Sequence, residues 1–98
     1  DYNGLWNGKY IDFEAKETNS ATSFSLNNIH EHQIEHMQKI LNHGGITFII
    51  VRFKKIDKTF ILPFKKFIFF LIVNIVLNLP ISSYFCRTLL FSILNIYN

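Results

Sequence analysis

Cysteine is nearly missing from this chain. Cys86 stands alone, which excludes an internal disulfide framework and a cysteine-based zinc centre. Such sparing use of cysteine fits a reducing compartment, and the cytoplasm is the expected location. Glycine and proline are scarce, at four and two residues, and most of them fall where turns and helix ends are read below. Residues 67–98 carry no charge except Arg87. No internal repeat is visible, and H-E-x-x-H, the helical zinc-protease motif, does not occur: in HEHQIEH, Ile34 occupies the place of the second histidine. The chain opens on Asp1 with no initiator methionine, signal peptide or basic lead segment. That start is expected of a segment whose upstream part lies elsewhere.

What is present fits one small domain. The net charge of +3 permits a polyanionic partner without demanding one. Its spread is uneven: residues 1–66 hold nine of the ten Lys/Arg and all seven acids. The chain reads as two compositions joined near Lys66.

The most informative stretch is DYNGLWNGKYIDFEAK, residues 1–16. Asn7-Gly8 is the strongest short signal for a β-hairpin, because a type I′ turn needs φ > 0 at both central residues. A two-residue loop there sets Trp6 opposite Lys9, Leu5 opposite Tyr10, Asn3 opposite Asp12 and Asp1 opposite Glu14. In the second strand Tyr10, Asp12, Glu14 and Lys16 share one face, and Ile11, Phe13 and Ala15 the other. Facing carboxylates repel; a divalent cation between Asp1 and Glu14 turns that repulsion into a binding site. Asp, twelve residues, then Glu-x-Lys resembles the PD-(D/E)xK nuclease pattern, with two carboxylates on Mg²⁺ and a lysine beside the reacting phosphate. The alternative for Glu14 and Lys16 is a solvated strand face.

Residues 17–25, ETNSATSFS, read as a loop, either a plain connector or a donor of hydroxyl hydrogen bonds to phosphates. Asn27 or Asn28 is expected to cap a helix running from about Ile29 to Asn42, ended by Gly44 or Gly45. Helical spacing gathers His30, Gln33, Ile34, Met37, Ile40 and Leu41 on one face and Glu31, His32, Glu35, His36 and Lys39 on the other. Gln33 therefore lies in an apolar face, where its amide needs a partner: a backbone group, or a metal and its water. His32 and His36 have workable two-ligand zinc spacing, but with no third ligand near in sequence a solvated histidine-rich face is the better reading. ITFIIVRF, residues 46–53, reads as a buried strand. A turn over residues 54–58, a strand over 59–62 and a helix opened by Pro63 follow. Strand, strand, helix, strand, strand, helix predicts a mixed sheet with helices packed on it.

Four segments together, DYNGLWNGKYIDFEAKET, TSFSLNNIHEHQIEHM, HGGITFIIVRF and FILPF, resemble the RecU family of Holliday-junction resolvases. The resemblance covers about residues 1–64 in the family order. It implies an α/β, restriction-endonuclease-like mixed β-sheet flanked by helices, here as a partial core, and a Mg²⁺-dependent homodimer acting on four-way DNA junctions in recombination and repair. It also implies roles: Asp1, Glu14 and Gln33 as metal ligands, with Asp1, Glu14 and Lys16 in catalysis, Lys16 stabilising the transition state. The family's additional threonine ligand, its basic N-terminal region and its stalk have no counterpart in this sequence.

Beyond Lys66 the resemblance stops. Residues 1–66 are read as a partial nuclease core and 67–98 as a divergent apolar tail. Phe67 to Cys86 is twenty residues without a charge, near the length of a membrane span, though Asn74, Asn78 and Pro80 interrupt it. A shifted reading frame explains such a tail better, and a tail of that origin need not fold as the family does. Two rivals to the nuclease reading stay open: a catalytically inactive nuclease-fold DNA-binding fragment, and a small membrane-anchored protein using residues 67–86.

Overall fold

The computed structural model describes residues 2–21, 23–78 and 84–86. Strands β1 (Tyr2–Trp6) and β2 (Lys9–Thr18) form the hairpin. Asn7 and Gly8 both take positive φ, 52° and 78°, as the tight turn requires. The register is the expected one, with Trp6 opposite Lys9 and Asn3 opposite Asp12, and it runs to Tyr2 opposite Phe13. Asp1 lies outside the described residues.

β2 extends to Thr18, so part of the stretch read as loop is strand. β3 (Ser23–Ser25) and a 3₁₀ turn (Leu26–Asn28) precede helix α1 (Glu31–Asn42). The helix begins two residues later than expected, and its N-cap is His30 rather than Asn27 or Asn28. The reason is Gln33: its side-chain oxygen accepts a hydrogen bond from the His30 backbone N–H at 2.9 Å, the reach-back half of a capping box. The other end is a Schellman turn, with Gly45 N–H on Ile40 O and Gly44 N–H on Leu41 O, and Gly44 at φ 84°.

β4 (Ile46–Phe53) lies parallel to β2, and β5 (Lys58–Pro63) runs antiparallel to β4, giving the sheet order β1-β2-β4-β5. Asp57, left-handed at φ 53°, closes the 3₁₀ turn (Lys54–Ile56) between them. Arg52 braces that turn through an ion pair to Asp57 and a 2.9 Å hydrogen bond to Thr59 Oγ1. Pro63 ends β5 and caps α2 (Phe64–Val76) one residue before the helix begins. This is the α/β fold expected: a mixed sheet with helices packed on it. β6 (Tyr84–Cys86) pairs with β3.

Strand alternation decides where the core sits. Ile49, Val51 and Phe53 of β4 and Phe60 and Leu62 of β5 are buried on one face, where they meet Met37 of α1 and Phe64 and Phe67 of α2. Ile34 and Leu41 pack on the same cluster, as the helical spacing predicts. Asn74 is buried in α2, where its amide donates to Phe70 O at 2.7 Å. Thus α2 folds as a helix and contributes core side chains. No helix among the described residues is long and apolar enough to cross a membrane. The opposite sheet face carries a row of stacked rings, Tyr2 on Phe13 and Phe13 on Phe48.

Candidate active site

Asp12 and Glu14 sit two apart on β2, so both point to the helix-covered face. They are 1% and 5% exposed. Carboxylates that far from water are costly unless they are paired, hydrogen-bonded or bound to a cation. α1 returns antiparallel to β2 on its way to β4. Three helical residues advance about 4.5 Å and two strand residues about 6.6 Å, a mismatch of about 2 Å over one turn that side-chain reach spans. Gln33 comes over the Glu14 level and His36 over the Asp12 level.

The result is an open cavity of about 310 Å³ lined by Glu14, His32, Gln33 and His36. Strand and helix bring Glu14 and Gln33 to this one space. Gln33's bond to the His30 backbone is the plainer of the two partners expected for it. An amide oxygen has two lone pairs, so one remains for a ligand in the cavity. A carboxylate and an amide oxygen are hard donors of the kind Mg²⁺ takes, so this donor set fits such an ion. Among the described residues no group of three or more His, Cys, Asp and Glu side chains could hold a metal; Asp1 is outside that set. Lys16 shares the strand face of Glu14 and is half-buried. It does not line the Glu14 cavity; it borders a shallower groove with Ala15, Ile50, Arg52 and Thr59.

The helical spacing misplaces His36. It is set with the solvated face, yet its Nε2 lies 2.9 Å from Asp12 Oδ2. The same oxygen accepts the Tyr10 hydroxyl at 3.1 Å. Desolvation first, then the hydrogen bond to Asp12 and the charge on that carboxylate, push the Tyr10 hydroxyl above its ordinary pKa. The other carboxylate oxygen, Oδ1, is buried without a hydrogen-bond partner among the described residues, as is Thr47 Oγ1 on the neighbouring strand. His32 is exposed, and its ring stacks on that of His30 with centroids 5.9 Å apart. One member of the two-histidine pair, His36, is thus engaged with Asp12. The sequence signal for Asp12 was available in the alternation that places it on the Glu14 face.

The family model for Recombination protein U matches residues 1–75. The chain is 58% identical over 67 residues to the Holliday junction resolvase RecU of Staphylococcus epidermidis, covering 68% of this chain and 32% of that protein. The Holliday junction resolvase RecU of Staphylococcus aureus is 57% identical over the same length, with the same coverage. The chain therefore spans about a third of the length of the curated relatives it matches. With the match running from the hairpin into α2, this chain belongs to the Recombination protein U (RecU) family.

Proposed function

We propose that this chain carries the catalytic centre of a divalent-metal-dependent endonuclease that resolves four-way DNA junctions, working as a homodimer in the cytoplasm. The observation that carries the reading is the convergence of Glu14 from β2 and Gln33 from α1 on one open cavity, in a chain whose curated relatives are named Holliday junction resolvases. Mg²⁺ is the proposed ion, with Asp1, Glu14 and Gln33 as its protein ligands. When bound, such an ion polarises the scissile phosphate and lowers the pKa of an attacking water. Glu14 supplies the charge that holds it, and Gln33 a neutral oxygen. Lys16 is assigned to neutralise charge developing on the phosphoryl oxygens. No covalent nucleophile is required. The same reading takes residues 1–66 as part of the nuclease core and 67–98 as a divergent tail.

The test is junction binding and cleavage measured side by side at fixed salt in the natural full-length protein, with Mg²⁺ titrated. Glu14→Gln keeps the shape but removes a negative charge, so its Mg²⁺ requirement rises and cleavage is lost. Lys16→Ala leaves the carboxylates and lowers the rate by about 10²–10³-fold, as for one preorganised electrostatic group. Junction binding largely survives both changes, because phosphate contacts elsewhere supply most of it. Folded variants that cleave at the parental rate overturn the assignment.

A further inference from the structure

We propose that His36 is a catalytic residue of this site, held by Asp12 so that its Nδ1 takes the proton of the water that attacks the phosphodiester. The proposal rests on the nuclease reading above and deepens it by naming the group that accepts the proton. Three observations carry it. His36 lines the same cavity as Glu14 and Gln33. Its Nε2 is engaged with Asp12, and its Nδ1 has no partner among the described residues, on a side chain left 43% exposed. Asp12 itself is 1% exposed and receives a second donor, the Tyr10 hydroxyl, on the oxygen that faces His36.

The chemistry follows from the donor and acceptor roles. A carboxylate only accepts hydrogen bonds, so the Nε2 that faces Asp12 is the donor; in the proposed step the ring enters as the tautomer protonated there, with Nδ1 bare. A buried acid that fixes the tautomer and orientation of a histidine is the arrangement by which such rings serve as bases. In the step, the water oxygen forms a bond to phosphorus and the water proton passes to Nδ1. A phosphorus–oxygen ester bond breaks, and its electron pair leaves on the ester oxygen, which takes a proton from solvent. The imidazolium, stabilised by Asp12, then returns its proton to solvent.

A purely mechanical role, a strut from α1 to β2, would need only Nε2. An apolar pair would serve as a strut without leaving the buried Asp12 Oδ1 unsatisfied. The discriminating variant is therefore His36→Gln, whose amide N–H can replace Nε2–H toward Asp12 while offering no base. In the natural full-length protein it is expected to keep its thermal midpoint and its metal-free affinity for a four-way junction within about twofold. Its single-turnover cleavage with Mg²⁺ is expected to fall roughly 10²–10³-fold, the range for a lost general base. Metal-free ¹⁵N NMR of the parental His36 ring is expected to show the Nε2-protonated tautomer, and imidazole added to His36→Ala is expected to restore part of the cleavage. Cleavage by folded His36→Gln within threefold of the parent overturns the proposal and leaves the nuclease reading standing. A ring protonated at Nδ1 and bare at Nε2 overturns it whatever the variants do. A parental protein that binds junctions but never cleaves them removes both.

Discussion

Replacing Gly45 with alanine tests how closely α1 is set against the hairpin, and hence how the site is assembled. A Cβ at Gly45 would lie 2.5 Å from Ile40 Cγ2, 3.1 Å from Ile40 O and 3.1 Å from Tyr10 O. The first contact is far inside van der Waals range, and the half-buried Ile40 side chain must move to relieve it. The second and third are to backbone, which cannot rotate away. Tyr10 O belongs to β2, so the strain falls on the spacing between helix end and strand. Overpacking of this kind costs about 1–3 kcal/mol. Urea unfolding of the natural full-length protein should show that loss in Gly45→Ala. Adding Ile40→Ala should recover the side-chain part and leave the backbone part, a coupling of about 1 kcal/mol in a double-mutant cycle. A loss below about 0.5 kcal/mol, the range of ordinary surface substitutions, would refute the packing of α1 on β2 described above.

Met37 is fully buried between α1 and the sheet, so Met37→Ala should destabilise by about 2–5 kcal/mol in the same assay; a smaller loss would show that the cavity collapses. Tyr10 has its pKa raised above the ordinary 10.0 by desolvation and by Asp12. A group whose folded pKa is raised contributes stability below its unfolded value and loses it as pH rises through the folded one. The parental protein should therefore lose stability more steeply than Tyr10→Phe above about pH 10, and matched denaturation curves at pH 9 and 11 would show it. Identical slopes would mean that the Tyr10–Asp12 bond does not form.

Much of this architecture was written locally. Asn7-Gly8 fixed the hairpin register because only positive-φ residues fit that turn, and the register put Asp12, Glu14 and Lys16 on one face. The β-branched run of β4 and the glycine pair after α1 are equally local signals. The rest depended on partners far apart in sequence. Gln33 shifted the helix start by bonding to the His30 backbone, against the cap propensity that favours Asn27 or Asn28. His36 lies at the border of the apolar stripe, and only the packing of Met37 on the sheet rotates it onto Asp12. The β3–β6 pair joins residues about sixty positions apart, beyond any periodicity. The site was legible in part: Glu14 and Gln33 were read from the resemblance and from the face each occupies. The Asp12–His36 pair, which needs two elements in register, was not.

We propose above that a divalent cation binds where Glu14 and Gln33 converge. Crystals of the natural full-length protein soaked in Mn²⁺, with anomalous scattering recorded at the manganese edge, test it most directly. The expected result is a peak bonded to a Glu14 carboxylate oxygen and the Gln33 amide oxygen, absent in Glu14→Gln under the same soak. A manganese peak elsewhere, with this cavity empty at saturating metal, would contradict it.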